Sequence, residues 1–412
     1  MANAILRADR TYSTGRKGVS NRAALRAGGA VAKMLFPMER PPGGLSSSDR
    51  VLIVRLGAVG DVLRALPAVT ALHKGVPGIR IAWLVENLAR PLLEGHPDID
   101  QLFRFPRRDL GRAGRHPGQA AAALKCMRQE LRTWQVTVSI DLQSSLKSGI
   151  ASVLSAAPRR VGFAPPFCRE LNFLFTNEWA VPASRWLNRV ERNLQLVQAL
   201  GVRSDLIEVS LPENREEGEA AAAILNQLVP GSGPVVLISP GVSALQAHKM
   251  WPAEHYARLA VLLRDATGAR PIVVWGPREE PLARRIVQGA AAAAILAPAA
   301  DLRLLAALLR RADLFIGADT GPMHLAWVVG CRVVALFGPT DPRLNAPLGQ
   351  GHEVVRSSDG EMTSIRPESV AAAARRALGS AAAPSGAGPG LPARAKPRAP
   401  TVRLARTQDF EA

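Results

Sequence analysis

Short, wholly apolar runs recur along this chain, and each ends in a turn that leads into helical apolar spacing. Val51-Leu52-Ile53-Val54 is the first, followed by the turn Arg55-Leu56-Gly57-Ala58-Val59-Gly60-Asp61 and by helical spacing from Val62 to Lys74. Such a run, without alternation, is what a central parallel strand covered on both faces requires. Ile79 to Val85 predicts the next strand, Ala120 to Trp134 a helix, and Val136 to Ile140 a strand ending at Asp141. Strand and helix alternate, which implies βαβ units and a parallel sheet.

The cycle restarts near Pro234. Val235-Val236-Leu237-Ile238 repeats the buried-strand pattern and is followed by the loop Ser239 to Met250. Glu254 to Ala266, Arg278 to Ala294 and Asp301 to Arg311 predict helices, and Ile272 to Trp275, Leu314 to Ile316 and Val333 to Phe337 predict strands. The fold class is α/β, as two doubly wound Rossmann-like lobes whose strand ends face a central cleft. The expected division is a basic, weakly ordered leader over 1–48, a first Rossmann-like lobe over 49–215, a second Rossmann-like lobe over 216–378 and a disordered Ala/Pro/Arg tail over 379–412. Within the leader, Ala23 to Phe36 reads either as a short basic amphipathic helix or as plain disorder.

Composition narrows the setting. Cys126, Cys168 and Cys331 form no CxxC or Cys/His cluster, which argues against a zinc site or disulfide scaffold and suits a reducing cytoplasm. No apolar run approaches the roughly 18 to 20 residues of a membrane span, and no signal-peptide core opens the chain, so a cytoplasmic protein is expected. The net charge is +18, and residues 1–50 supply +6 of it, with nine Lys or Arg against three Asp or Glu. Anionic lipid, a phosphorylated glycolipid and nucleic acid would all be attracted by this charge. Aromatic residues make up only 5% of the chain, and no RNA-binding motif is present, so nucleic acid is the weaker reading.

Candidate chemistry sits where strands end. Asp61 at the start of a helix reads as a helix-capping carboxylate or as a general base. In Asp319-Thr320-Gly321-Pro322-Met323-His324, Thr320 and Gly321 offer N–H groups and a hydroxyl to a phosphate, and His324 lies about one turn further on. The loop after Ile238 carries Ser243, His248 and Lys249, and a lysine there can neutralise a leaving diphosphate in place of a metal. Glu279 and Glu280 follow the strand at Trp275 and are candidates for ribose hydroxyls or simply helix-start acids. No catalytic triad, Walker A loop or metal-spaced set of His, Asp and Glu is visible, so no metal or other cofactor is expected.

In order along the chain, Val51 to Asp61, Asp141-Leu142-Gln143 with Lys147-Ser148, Arg160-x-Gly162-Phe163, Lys249-x-Trp251-Pro252, Asp319-Thr320-Gly321-Pro322-x-His324 and Gly338-Pro339-Thr340-Asp341-Pro342 resemble glycosyltransferase family 9, the ADP-heptose:lipopolysaccharide heptosyltransferases. The resemblance covers roughly residues 50–375. It implies the GT-B fold and an inverting, metal-independent transfer of heptose from ADP-heptose to a lipopolysaccharide inner-core acceptor. It also implies a role for each site residue. Asp61 is the base. Lys249, Thr320 and Gly321 hold the diphosphate, and Ser243 is a further phosphate candidate. Asp319 and His324 touch the donor sugar, and Glu279 or Glu280 the ribose. Gly60, Arg104, Arg107, Arg108, Lys147 and Arg160 lie on the acceptor side. The expected partners are a nucleotide-sugar donor, an anionic glycolipid acceptor and the inner face of the cytoplasmic membrane, approached by a monomer. Another NDP-sugar or another acceptor stays open, because pocket shape rather than motif selects the sugar.

Overall fold

The structure is a computed structural model that describes residues 41–379, apart from 205 and 232, together with 401–403. The segment Ala23 to Phe36 lies outside the described residues.

The first sheet is built from β1 (Arg50–Val54), β2 (Arg80–Val85), β3 (Gln101–Arg104), β4 (Val138–Asp141), β5 (Arg159–Phe163) and β6 (Glu178–Ala180). Its order is β3-β2-β1-β4-β5-β6, and every pairing in it is parallel. A short strand β7 (Leu206–Glu208) follows outside this sheet. The second sheet repeats the order as β10-β9-β8-β11-β12-β13. Its members are β8 (Val236–Ser239), β9 (Ile272–Val273), β10 (Ile295–Leu296), β11 (Leu314–Ala318), β12 (Arg332–Phe337) and β13 (Glu353–Arg356). Both are doubly wound Rossmann orders, in which the crevice lies beyond the carboxyl ends of the central strands. Those ends are β1 and β4 in one lobe and β8 and β11 in the other.

The apolar runs explain the layering. Along β1, Val51 and Ile53 join one buried cluster while Leu52 and Val54 join another on the opposite face, so an unalternating strand serves two cores. The continuous helix expected over Val62 to Lys74 is two helices, α1 (Val59–Leu63) and a second over Leu66–Gly75. Pro67 explains the break, since it has no N–H to donate to the carbonyl of Leu63 and its ring would clash there. Three further helices frame the cleft: α2 (Leu146–Leu154), α3 (Arg189–Gln198) and α4 (Gly321–Val328). The expected helix Arg278 to Ala294 is shorter, Glu280–Gly289, and the chain turns through Ala291 and Ala292 at positive φ before β10. In the expected tail, Thr401–Arg403 form a strand, β14, antiparallel to β7.

Candidate active site

The two lobes meet at their matching turns. After β1, Gly57 and Gly60 bracket the entry to α1, and after β11, Thr320 and Gly321 open α4. A Cβ on Gly60 would stand 2.6 Å from Cδ2 of His324, and one on Gly321 would stand 3.5 Å from Cβ of Val59. Glycine at position 60 therefore lets one lobe approach the other, whereas a Cβ at position 321 would make only ordinary contact. Gly60, expected on the acceptor side, packs against His324 of the other lobe.

Asp61 lies in the first turn of α1, where the helix dipole favours a carboxylate, but no side chain caps this helix. Its Oδ1 faces three guanidiniums instead. Arg55 approaches to 2.8 Å, Arg64 lies closer still through an i,i+3 pair, and Arg189 stands at 3.7 Å. Burial raises the Asp61 carboxyl, yet Arg55, Arg64 and Arg189 overcome that and hold it well below the usual carboxylate range. Arg55 is fixed by a 2.6 Å bond from Nη1 to the carbonyl of Leu142, in the loop that Asp141 organises by accepting from the amides of Gln143 and Ser144.

Across the cleft, Lys249 donates from Nζ to the carbonyl oxygen and to Oδ2 of Asp319, each at 3.0 Å. His324 Nε2 stands 3.3 Å from Asp319 Oδ1. Burial first, and then the charge of Arg64, push the His324 imidazole down to about 4 against the pull of Asp319, so the ring is neutral near pH 7 and donates from Nε2. Asp319 is likewise raised by burial and drawn further down by His324 and Lys249, so it stays ionised. Asn345 donates from Nδ2 to Asp319 Oδ2 at 3.0 Å and accepts from Arg64 Nη1 through Oδ1. Asp61, Arg64, Asn345 and Asp319 thus form one hydrogen-bonded chain from lobe to lobe.

The other predicted residues separate into those the fold brings to the cleft and those it does not. Glu279 folds back to accept from the amide of Gly276 at 2.8 Å and lies against Gly241, where a Cβ would collide with its carboxylate. Glu280 is engaged in a surface pair with Arg284, 2.6 Å away. Of the two ribose candidates, Glu279 is therefore the one facing the loop after β8. Ser243 is exposed at the start of the 3₁₀ turn Ala244–Lys249, 3.4 Å from Gln246. Thr320 holds the N-cap position of α4 with its hydroxyl 3.3 Å from the carbonyl of Ala318. Glu86, buried under Gly57, gathers Arg107 and Lys147, each at 2.7 Å. Arg104 pairs instead with Asp109, Arg108 is exposed on the helix Arg107–Gly111, and Arg160 spends Nε and Nη1 on the carbonyls of Phe175 and Ala157.

Sequence reasoning passed over Glu86, Arg55, Arg64, Arg189 and Asn345. Glu86 follows directly on a predicted strand, and Arg64 lies one helical turn after Asp61, so both carried a positional signal. Arg189 and Asn345 carried none. Among the described residues, no group of three or more His, Cys, Asp and Glu is placed to hold a metal.

A family model described as glycosyltransferase family 9 (heptosyltransferase) matches residues 125–373. Lipopolysaccharide heptosyltransferase 1 of Escherichia coli O18:K1:H7 is 29% identical over 324 residues, which are 78% of this chain and 95% of that protein. Lipooligosaccharide heptosyltransferase 2 of Haemophilus influenzae is 25% identical, covering 77% of this chain and 91% of its own length. Among solved structures, the E. coli heptosyltransferase WaaC with ADP is 27% identical and superimposes with a TM-score of 0.66 over 80% of this chain and 99% of that one. A glycosyl transferase family 9 protein from Veillonella parvula gives 0.70 over 81% and 98%, at 20% identity. The two sheets of this chain thus form the GT-B arrangement of those structures, with a cleft between nucleotide-binding-type lobes. The match of more than half the chain to the family model, on a fold of this kind, establishes that this protein is a glycosyltransferase and belongs to glycosyltransferase family 9.

Proposed function

We propose that this enzyme moves heptose from ADP-heptose onto an inner-core sugar of lipopolysaccharide, with inversion at the anomeric carbon and without a metal. The observation that carries the reading is the pairing across one cleft of a carboxylate, Asp61, with the cluster of Lys249, Asp319 and His324. A relative 28% identical in sequence was solved with ADP-2-deoxy-2-fluoro heptose, which makes ADP-heptose the first donor to consider. Asp61 takes the proton of the acceptor hydroxyl, and the oxygen attacks C1 from the face opposite the diphosphate. The C1–O bond to the diphosphate breaks and ADP leaves with its electron pair. Lys249 has three N–H groups and gives two of them to Asp319, so the third is left for a phosphate oxygen. The amides that open α4 add their dipole, and Glu279 receives the ribose hydroxyls. Offering ADP-heptose and other NDP-sugars with a core acceptor, with and without EDTA, and weighing the product by mass spectrometry tests this. Heptose addition that survives EDTA is expected. Transfer of another sugar in preference, or loss of activity with EDTA that Mg²⁺ or Mn²⁺ restores, overturns the corresponding part.

Reaching a lipid-held acceptor calls for peripheral attachment, by a monomer on the inner face of the membrane. No helix among the described residues is long and apolar enough to cross a bilayer. Supporting attachment is an apolar patch in the first lobe: Leu146, Ile150 and Val153 line one face of α2, and Leu171 and Leu174 adjoin it, all between 43% and 54% exposed. Exposed aliphatic groups beside Lys147 and Arg169 suit the interface of an anionic bilayer. Co-sedimentation with anionic liposomes should fall on Ile150→Ser with Leu174→Ser and, separately, on deletion of residues 1–48. Unchanged binding by both variants removes these surfaces from the reading.

A further inference from the structure

Besides the bridge from Arg64 through Asn345 to Asp319, the lobes touch at a second place, on the rim of the cleft. Trp186 lies in the loop that leads into α3, and it is 45% exposed. The guanidinium of Arg343, from the second lobe, stands 4.5 Å from its ring centroid, and that of the neighbouring Arg185 stands 4.8 Å away. Both lie within the range of a cation–π contact. Arg343 is held ready for this contact. It belongs to the helix Pro342–Asn345, and Asp341, which caps that helix by accepting from the amide of Arg343, also accepts from Nη2 at 2.6 Å and from Nε at 3.1 Å. A guanidinium already fixed by a carboxylate loses little freedom when a ring stacks on it. The turn Gly338 to Pro342, to which the donor chemistry gives no role, thereby carries the second lobe's half of the contact.

Two residues further on, the same segments meet again. Buried Asn188 donates from Nδ2 to the carbonyl of Ala346 at 3.0 Å, and its Oδ1 caps α3 by accepting from the amide of Val190. The first residue of α3 is Arg189, which faces Asp61, and one turn along it Asn193 donates to the carbonyl of Arg64 at 3.1 Å. Helix α3 is thus gripped by the second lobe at its start, and it carries or holds two of the cations that flank Asp61. We propose that Trp186 and Arg343 form a clasp across the rim which, when closed, positions Asp61 for transfer by setting α3, and with it Arg189 and Arg64, against the opposite lobe. Both are positioning residues that act through α3. The consequence for turnover rests on the reading of Asp61 as the base.

The full chain is assayed with ADP-heptose and a core acceptor. Trp186→Leu should lower kcat about fivefold, the shift that one half-exposed cation–π contact gives an equilibrium, while the Kd for ADP stays as it was. Trp186→Phe, which keeps an aromatic face, should recover part of the loss. Arg343→Met should match Trp186→Leu, and the double variant should be no slower than either single one. In an Asp61→Asn background, Trp186→Leu should cost nothing more. A second readout does not depend on turnover. Subtracting the emission of Trp186→Phe from that of the parent isolates the Trp186 indole, and the same difference taken in Arg343→Met should lie at longer wavelength, because water reaches the uncovered face. An unmoved emission overturns the clasp whatever Asp61 does. Unchanged kcat in both single variants, with a lowered urea midpoint, shows a purely structural contact and overturns the positioning role. Losses that multiply fully in the double variant overturn the pairing, and a further loss on top of Asp61→Asn overturns the route through Asp61. An Asp61→Asn enzyme at full turnover removes the base reading, while the clasp still stands or falls on the emission and on the coupling between Trp186 and Arg343.

Discussion

The turns at Asp61 and Asp319 are the same object built twice, a parallel strand, a tight turn and a short helix with a carboxylate at its start, yet their charges are arranged in opposite ways. Asp319 is matched within its own lobe by Lys249, by a neutral His324 and by the amide of Asn345. Asp61 sits among guanidiniums that outnumber it. A repeated scaffold therefore does not dictate a repeated site: the strand–turn–helix geometry places a carboxylate at the cleft, and the side chains arriving from elsewhere decide whether that carboxylate is at rest or overdrawn. One carboxylate is matched by groups of its own lobe, whereas the other is outnumbered by the cations around it.

Acid sensitivity should separate the two turns most strongly. Unfolded histidine takes up a proton as the pH falls through about 6.5, but folded His324 does not until about 4, so between those values the unfolded state binds more protons and stability declines as pH falls. At about 1.4 kcal/mol per unit the loss from this residue reaches about 3 kcal/mol. His352, which burial also holds at about 4, contributes in the same direction and window. Asp61 and Asp319 lie below their ordinary values, so their contributions persist above about pH 4 and are lost only beneath it. Urea midpoints measured from pH 7 to pH 4 should flatten in His324→Gln, and separately in His352→Gln. A slope unchanged in both would contradict the burial-driven depression.

The next effect is catalytic. Asp61→Asn should lower turnover by about 10² or more, the usual cost of losing a general base, while binding ADP as the parent enzyme does, because the residues proposed to hold the donor, Lys249, Asp319 and His324, lie in the other lobe. Turnover above about a tenth of the parent value would return Asp61 to a structural role. A smaller effect is expected at the link between the turns. Asn345→Ala cuts the bridge from Arg64 to Asp319 and should cost about tenfold in kcat, as one hydrogen bond to charged groups does. If the bridge acts through Asp61, the double variant with Asp61→Asn will be no slower than Asp61→Asn alone. Fully additive losses would show the two residues acting separately.

Much of this molecule was legible in its sequence because the signals are local. The apolar runs at Val51 and Val235 give central strands, and the residues that follow such strands, Asp61, Lys249, Asp319 and His324, do lie at the cleft. Glu279 and Glu280 were indistinguishable by position, since a single residue separates the one that folds over Gly241 from the one that pairs with Arg284. Arg160 belongs to a recognisable motif but spends its donors on carbonyls of its own lobe, a use that spacing does not reveal. The bond from Arg64 to Asn345 joins residues 281 apart and exists only where the two lobes meet. Arg189 is one exposed arginine among many until α3 packs on the helix Leu66–Gly75 and brings it to Asp61. Pattern reading reaches what one strand and its neighbours determine, and it stops where the partner comes from the opposite lobe.

The close approach of Gly60 to His324 bears on how far the two halves of such enzymes are interchangeable. A single methyl group at position 60 would meet an imidazole carbon held by the other lobe, so tolerance at this site is set by the opposite half of the chain. Recombination that exchanges whole lobes between relatives brings a foreign residue to that point. A hybrid with a bulkier side chain facing position 324 would be wedged open, however well each half folds. The side chain that position 60 can carry is therefore set by the half of the chain to which it does not belong.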